Sequence, residues 1–364
     1  MTSFGQKFTV YFTIICLAGI LTLFTFDTWQ TVLLVCLVLI GVSYLSIMAS
    51  ESFFEPEPYS TDLVWKSVEG FETKEKKEEK EDTTLAKKTR YEWLENDELF
   101  DAFYASVFTK LTQNEKLVRA ESAICLQEFS RVIPKEQLVI LDAGCGIGIA
   151  ACSFIKQGVQ RVVGIDKSRA MIQYAKDVTL SNTTLGEKQK QSIDFRVGDL
   201  IGPTTSMAAE YDAACLLYFT VYYLGGQLDT VFRNMRLWVK PGGVLAIEAV
   251  NKYKFEPVLD SSNPWVGVSP QRYKKERLTT SKVVFDTFDY EAHFELEDPK
   301  AEFREIFRFK DGSVRRQRHR LYMPSIKEII QTGTRNGWTY TKYVDLMPTS
   351  FAYGYLLFFT RNPE

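Results

Sequence analysis

Leu141-Asp142-Ala143-Gly144-Cys145-Gly146-Ile147-Gly148 is the stretch on which the fold turns. It closes the apolar run Gln137 to Asp142, which reads as a strand, and precedes Ala150 to Gln157, which reads as a helix. A strand that breaks into closely spaced glycines and then a helix marks the ligand end of a parallel sheet, where backbone approaches the ligand closely. The alternation continues outward. Arg161 to Asp166 is a strand ending in an acid, and Ala170 to Leu180 a helix. Ser192 to Val197 is a strand ending at Gly198-Asp199, and Tyr211 to Leu217 another. Gly226 to Trp238 is a helix, after which Pro241-Gly242-Gly243 turns into the strand Val244 to Val250. Upstream, Tyr91 to Thr109 and Asn114 to Val132 read as helices. The pattern predicts an α/β fold, a Rossmann-like sheet with helices on both faces.

The glycine spacing narrows the ligand. It runs Gly144-x-Gly146-x-Gly148, and the third glycine expected of a dinucleotide site is replaced by Ile149. Asp142 precedes the first glycine. A carboxylate there repels a diphosphate and attracts an ammonium or a sulfonium. That charge logic selects S-adenosylmethionine over a nicotinamide dinucleotide.

At these residues the chain resembles the class I S-adenosylmethionine-dependent methyltransferases, from about Glu92 to the C-terminus. Asp166 matches the acid that binds the ribose hydroxyls in that family. Gly198-Asp199-Leu200 resembles the motif whose acid faces the adenine, and Leu237 to Gly243 the turn before the fifth strand. The resemblance implies a cofactor site of Asp142, Ala143, Gly144, Cys145, Gly146 and Gly148, with Asp166, Lys167, Met171, Gly198, Asp199 and Leu200. Tyr218 and Phe219 are expected to flank it. Asp101-Ala102-Phe103-Tyr104 resembles the segment that folds over the cofactor, Tyr104 being its contact, and Arg119 is expected to pair with the methionine carboxylate. Trp338 to Leu346 and Phe351 to Arg361 resemble the sixth and seventh strands, the last one antiparallel.

Between the fifth strand and the helix Ser325 to Arg335 lies an insertion, residues 251–322. Val283 to Leu296, Ala301 to Phe309 and Ser313 to Tyr322 read as three strands of a β-meander with alternating aromatics. It resembles the substrate cap of small-molecule methyltransferases, and a homodimer interface is its alternative role. The chain has two histidines, His293 and His319, both in this cap. His319 is the better candidate base, and Tyr222 and Tyr223 the candidate acceptor-pocket residues. Arg315, Arg316, Arg318 and Arg320 are either a solvated face or a surface for an acidic substrate or membrane. No (N/D)-P-P-Y motif follows the fourth strand, which disfavours base or glutamine N-methylation.

The first fifty residues read differently. Phe8 to Phe26 and Thr31 to Ala49 are uncharged runs of 19 residues, joined by Asp27-Thr28-Trp29-Gln30. Each spans about 28 Å as a helix, close to the hydrocarbon thickness. A transmembrane helical hairpin is expected at 1–50, with the catalytic domain on the cytoplasmic side. Residues 51–88 form a charged tether that includes Lys74 to Asp82. The domain proper is then 89–364. Net charge is −2, so no global basic field recruits nucleic acid. None of the six cysteines forms a CxxC pair, so no metal is expected. The sequence predicts a membrane-anchored methyltransferase acting on an O or N of a small-molecule or lipid-like acceptor. A catalytically inactive scaffold that binds the cofactor and a methylator of a membrane-associated protein are the alternatives.

Overall fold

The computed structural model describes residues 93–111, 115–202, 205–255, 257, 277–349 and 351–363. All lie in the unit Lys88–Glu364. The expected membrane hairpin and tether fall outside the described residues. Among the described residues no helix is long and apolar enough to cross a membrane.

Strand β1 is only Leu94–Glu95. The main sheet contains β2 (Val139–Ala143), β3 (Arg161–Asp166), β4 (Ile193–Val197), β5 (Tyr211–Leu216) and β6 (Val239–Val250). The strands of the small sheet come next in the chain: β7 (Thr280–Val284), β8 (Phe288–Glu297), β9 (Lys300–Phe309) and β10 (Val314–Tyr322). The C-terminal hairpin, β11 (Trp338–Asp345) and β12 (Gly354–Arg361), returns to the main sheet. Its order is β11-β12-β6-β5-β2-β3-β4. Pairings among β2 to β6 are parallel, and β12 runs antiparallel to both neighbours. The chain lays strands outward on one side of β2, then returns to the other. The crevice of a parallel sheet opens where the order reverses, between β2 and β5.

Both faces of this sheet are covered, which is why its strands read as continuous apolar runs. Helices α1 (Ala102–Leu111), α2 (Glu115–Phe129) and α3 (Ile149–Lys156) precede β3. Then come α4 (Arg169–Tyr174), α5 (Leu228–Trp238) and α6 (Ile326–Arg335). One core packs Leu141, Val163 and Leu357 against Phe232, Trp238 and Ile329 of α5 and α6. The other packs Ile140, Val162 and Phe358 against Phe129 and Phe154 of α2 and α3. Neighbours along β2 and β12 thus point to opposite cores, as the two-residue period requires.

The small sheet has the order β1-β10-β9-β8-β7. Tyr104, Phe108 and Leu111 of α1 pack on its Phe288, Tyr290 and Phe307. Three expectations need correction. Tyr91 to Thr109 is not one helix, because Leu94–Glu95 pairs in parallel with Gln317–Arg318 of β10 and the helix begins at Ala102. The cap has four antiparallel strands rather than three, because the run Val283 to Leu296 breaks between Val284 and Phe288. The expected helix Ala170 to Leu180 continues from α4 into a π turn, Ala175–Thr179.

Candidate active site

The glycine turn hangs on the end of β3. The Gly144 and Cys145 N–H groups donate to the Ile165 carbonyl at 2.7 and 3.0 Å, and Gly146 N–H donates to Asp166 Oδ2 at 2.9 Å. Three glycines here have positive φ, and they do so for different reasons. A Cβ on Gly144 would lie 2.4 Å from Thr220 Cγ2, and one on Gly148 would lie 2.3 Å from Phe195 Cζ. Those two glycines serve packing inside the protein. A Cβ on Gly146 would meet only Phe108, at 3.9 Å. Its open side faces a cavity of about 1110 Å³.

Tyr104, Gly144, Cys145, Gly146, Asp166, Lys167, Met171, Gly198, Asp199, Leu200, Tyr218, Phe219 and Tyr223 all line that cavity. Asp166 also accepts from Ser168 N–H at 2.8 Å, so each of its oxygens keeps a lone pair for a ligand hydroxyl. Lys167 bridges Asp97 and Asp199 at 3.0 and 3.6 Å across the rim. The residues just before α1 are tied down twice. Ser168 Oγ donates to Phe100 O at 2.6 Å, and Arg315 Nη1 donates to Asp101 Oδ2 at 2.7 Å.

Six expected site residues do not line the cavity. Arg119 is exposed on α2, whose buried side packs on the sheet. Asp142 is buried behind the turn, where Cys215 Sγ donates to Oδ1 at 3.8 Å. Ala143 packs into the sheet core. Gly148 caps α3 and makes room for Phe195. Tyr222 is buried, and its hydroxyl accepts from Val250 N–H at 2.7 Å, a structural tie. His319 is 1% exposed, behind the cavity wall, and is hydrogen-bonded to Tyr223 on that wall.

Sequence reading missed two acids. Glu248 lies on the cavity wall and accepts from Tyr218 N–H at 2.6 Å. It is hydrogen-bonded to the buried Glu121 of α2. The signal for Glu248 was present, a lone acid in the apolar strand Val244-Leu245-Ala246-Ile247-Glu248-Ala249-Val250. Burial pushes Glu248 up to about 7. Burial, then the charge of Asp166, pushes Asp142 up to about 7 as well. Glu121 Oε1 and Asp142 Oδ2 have no hydrogen-bond partner among the described residues. Such a concentration of acid beneath an open glycine fits a ligand that is positively charged.

Residues 140–243 match the family model described as a methyltransferase domain. The ribosomal protein L11 methyltransferase of Tolumonas auensis is 24% identical over 155 residues, covering 43% of this chain and 48% of that protein. The mitochondrial ubiquinone biosynthesis O-methyltransferase of Dictyostelium discoideum is 25% identical over 126 residues, covering 33% of this chain and 37% of that protein. The chain thus spans under half the length of these curated relatives. A solved S-adenosylmethionine-dependent methyltransferase from Clostridium acetobutylicum superposes with a TM-score of 0.52 at 14% identity, covering 72% of this chain and 97% of that one. Residues 140–243 are thus similar to a methyltransferase domain, on a fold shared with the Clostridium protein, and the acid-lined glycine cradle fits S-adenosylmethionine.

Proposed function

We propose that this chain transfers the methyl group of S-adenosylmethionine to a small, largely apolar acceptor held under the β-meander. One observation carries the reading. A single cavity runs from Gly146, Asp166 and Asp199 to Phe294, Phe303 and Leu321 of the small sheet. Donor and acceptor sites therefore share one volume, as in-line displacement needs. When bound, the cofactor supplies an electrophilic methyl and a neutral leaving group. The chain's residues orient the partners and exclude water. The turn offers backbone at Gly146, Asp166 offers acceptors for hydroxyls, and the acids below favour positive charge. The aromatic half of the cavity favours a lipid-like or ring-bearing acceptor.

The uncharged runs at 8–26 and 31–49 support a membrane-borne acceptor, because an anchor raises its effective concentration at the site. The name of the Dictyostelium relative supports an oxygen as the methylated atom. The test incubates the purified chain with labelled S-adenosylmethionine and a total membrane lipid extract. A labelled lipid-soluble product is expected. Gly146→Val should abolish cofactor binding in calorimetry, because its side chain would fill the open face of the turn. Tight cofactor binding by the wild type with no labelled product would instead indicate a scaffold that does not transfer.

A further inference from the structure

A hydrogen-bonded path leads from the cavity into the interior of the small sheet. It begins at Tyr223, on the 3-10 turn Thr220–Leu224, which lines the cavity. The Tyr223 oxygen is 2.9 Å from Nδ1 of His319 on β10. On the other side of the ring, Nε2 is 2.5 Å from Glu305 Oε2 on β9. Glu305 is fully buried and receives further donors. The Tyr290 hydroxyl donates to Oε1 at 2.5 Å, and the Gln317 amide donates to Oε2 at 2.6 Å. Arg315 Nε in turn donates to Gln317 Oε1 at 2.8 Å.

This arrangement settles the tautomer. A carboxylate accepts only, so Nε2 carries the hydrogen that faces Glu305. In the neutral ring Nδ1 then holds the lone pair and accepts from the Tyr223 hydroxyl. Burial alone would raise the Glu305 carboxyl. The hydrogen bonds from His319, Tyr290 and Gln317, joined by the charge of the ring once it is protonated, outweigh it and hold the carboxyl below its ordinary range. Phe100, Phe303 and Tyr104 complete the shell around the imidazole. The ionisable groups that face it are therefore Glu305 from β9, Tyr290 from β8, Tyr223 from the turn and Tyr104 from α1. Its strand neighbours Arg318 and Arg320 pair with Glu95, and Arg318 also with Glu302. A buried carboxylate and imidazole inside a cluster of phenylalanines contribute little to stability that apolar packing would not. It is explained if its cavity end works on a proton.

We propose that Tyr223, backed by His319 and Glu305, takes the proton from a hydroxyl of the acceptor, and that the acceptor is therefore an alcohol or phenol. This rests on the methyl-transfer reading above. The acceptor O–H proton passes to the Tyr223 oxygen while the Tyr223 proton passes to His319 Nδ1. The freed oxygen pair forms the new O–CH3 bond, and the pair of the broken C–S bond stays on sulfur. The positive charge lost at sulfur reappears on the imidazolium beside Glu305, and the proton then leaves to solvent. Tyr223 is the catalytic residue. His319 and Glu305 are positioning residues that never touch the acceptor.

Two histidines in the chain make the test direct. In 15N-histidine NMR of the full chain, His319 should show hydrogen on Nε2 and an acceptor Nδ1. Tyr223→Phe should shift that Nδ1 and leave His293, which faces Thr280, in place. Hydrogen on Nδ1, or a His319 signal unmoved by Tyr223→Phe, overturns the relay. The same proteins are then assayed with labelled S-adenosylmethionine and a membrane lipid extract. Tyr223→Phe and His319→Gln should bind the cofactor normally and lose about 10²-fold or more in transfer rate. His319→Gln should also flatten the acid limb of the pH–rate profile, which a structural role would not. The product should be a methyl ether. Wild-type rates in both variants, or a methylamine product, overturn the relay and leave the transfer reading standing. No product from the wild type with cofactor bound overturns the transfer reading and the relay together.

Discussion

Asp142 and Glu248 show what a single residue contributes. Both carboxyls stand near 7 because burial disfavours their charge. The ordinary carboxylate range lies near about 4. Stability held by the neutral forms is complete below that range and is lost as pH rises through about 7. A cationic cofactor reverses the preference, because it favours the ionised form of Glu248 on the cavity wall. Binding just below neutral pH should therefore release protons, and affinity should rise with pH. Calorimetry in buffers of different ionisation heat measures this directly. An affinity that is flat through neutral pH contradicts it. The glycine positions were legible in the sequence because a turn declares itself locally. The separate tasks of those glycines were not, since Thr220 and Phe195 are distant in sequence.

At the scale of elements, legibility follows contact distance. Strand β3 is read at its true bounds because six consecutive residues carry the pattern. Strand β1 has two residues, too few for any period, and its partner is over two hundred residues away. The same distance hides the tie between α1 and the small sheet. Asp101 Oδ1 accepts from Tyr104 N–H at 2.9 Å, capping α1, while Oδ2 accepts from Arg315. Loss of such a cap costs about 1 kcal/mol, and the half-exposed ion pair adds little. Asp101→Ala should lower the thermal midpoint by about 2–4 °C, and Asp101→Asn, which keeps the cap, by less. Equal shifts in the two variants would place the effect on the ion pair instead.

At the scale of the whole molecule, the fold order was legible and the acceptor chemistry was not. Parallel alternation and the C-terminal hairpin are patterns along the chain. Tyr223, His319 and Glu305 meet only when the turn after β5 packs on the meander. Sequence reading had named Tyr223 and His319 but had no means to see Glu305 behind them. The division between Lys87 and Lys88 carries its own expectation. Because every described residue that lines the cavity belongs to the second unit, the fragment Lys88–Glu364 should bind S-adenosylmethionine as tightly as the full chain. A large loss of affinity in calorimetry of the fragment would show that the first unit contributes to the site.

Cysteine chemistry gives the domain one further property. Cys125, Cys145, Cys152 and Cys215 are free and buried, and burial pushes every one of these thiols up. Cys145 sits in the cofactor turn itself, yet it holds almost none of the thiolate that peroxides and alkylating reagents attack. The glycine turn thus carries a thiol held in its unreactive, protonated form.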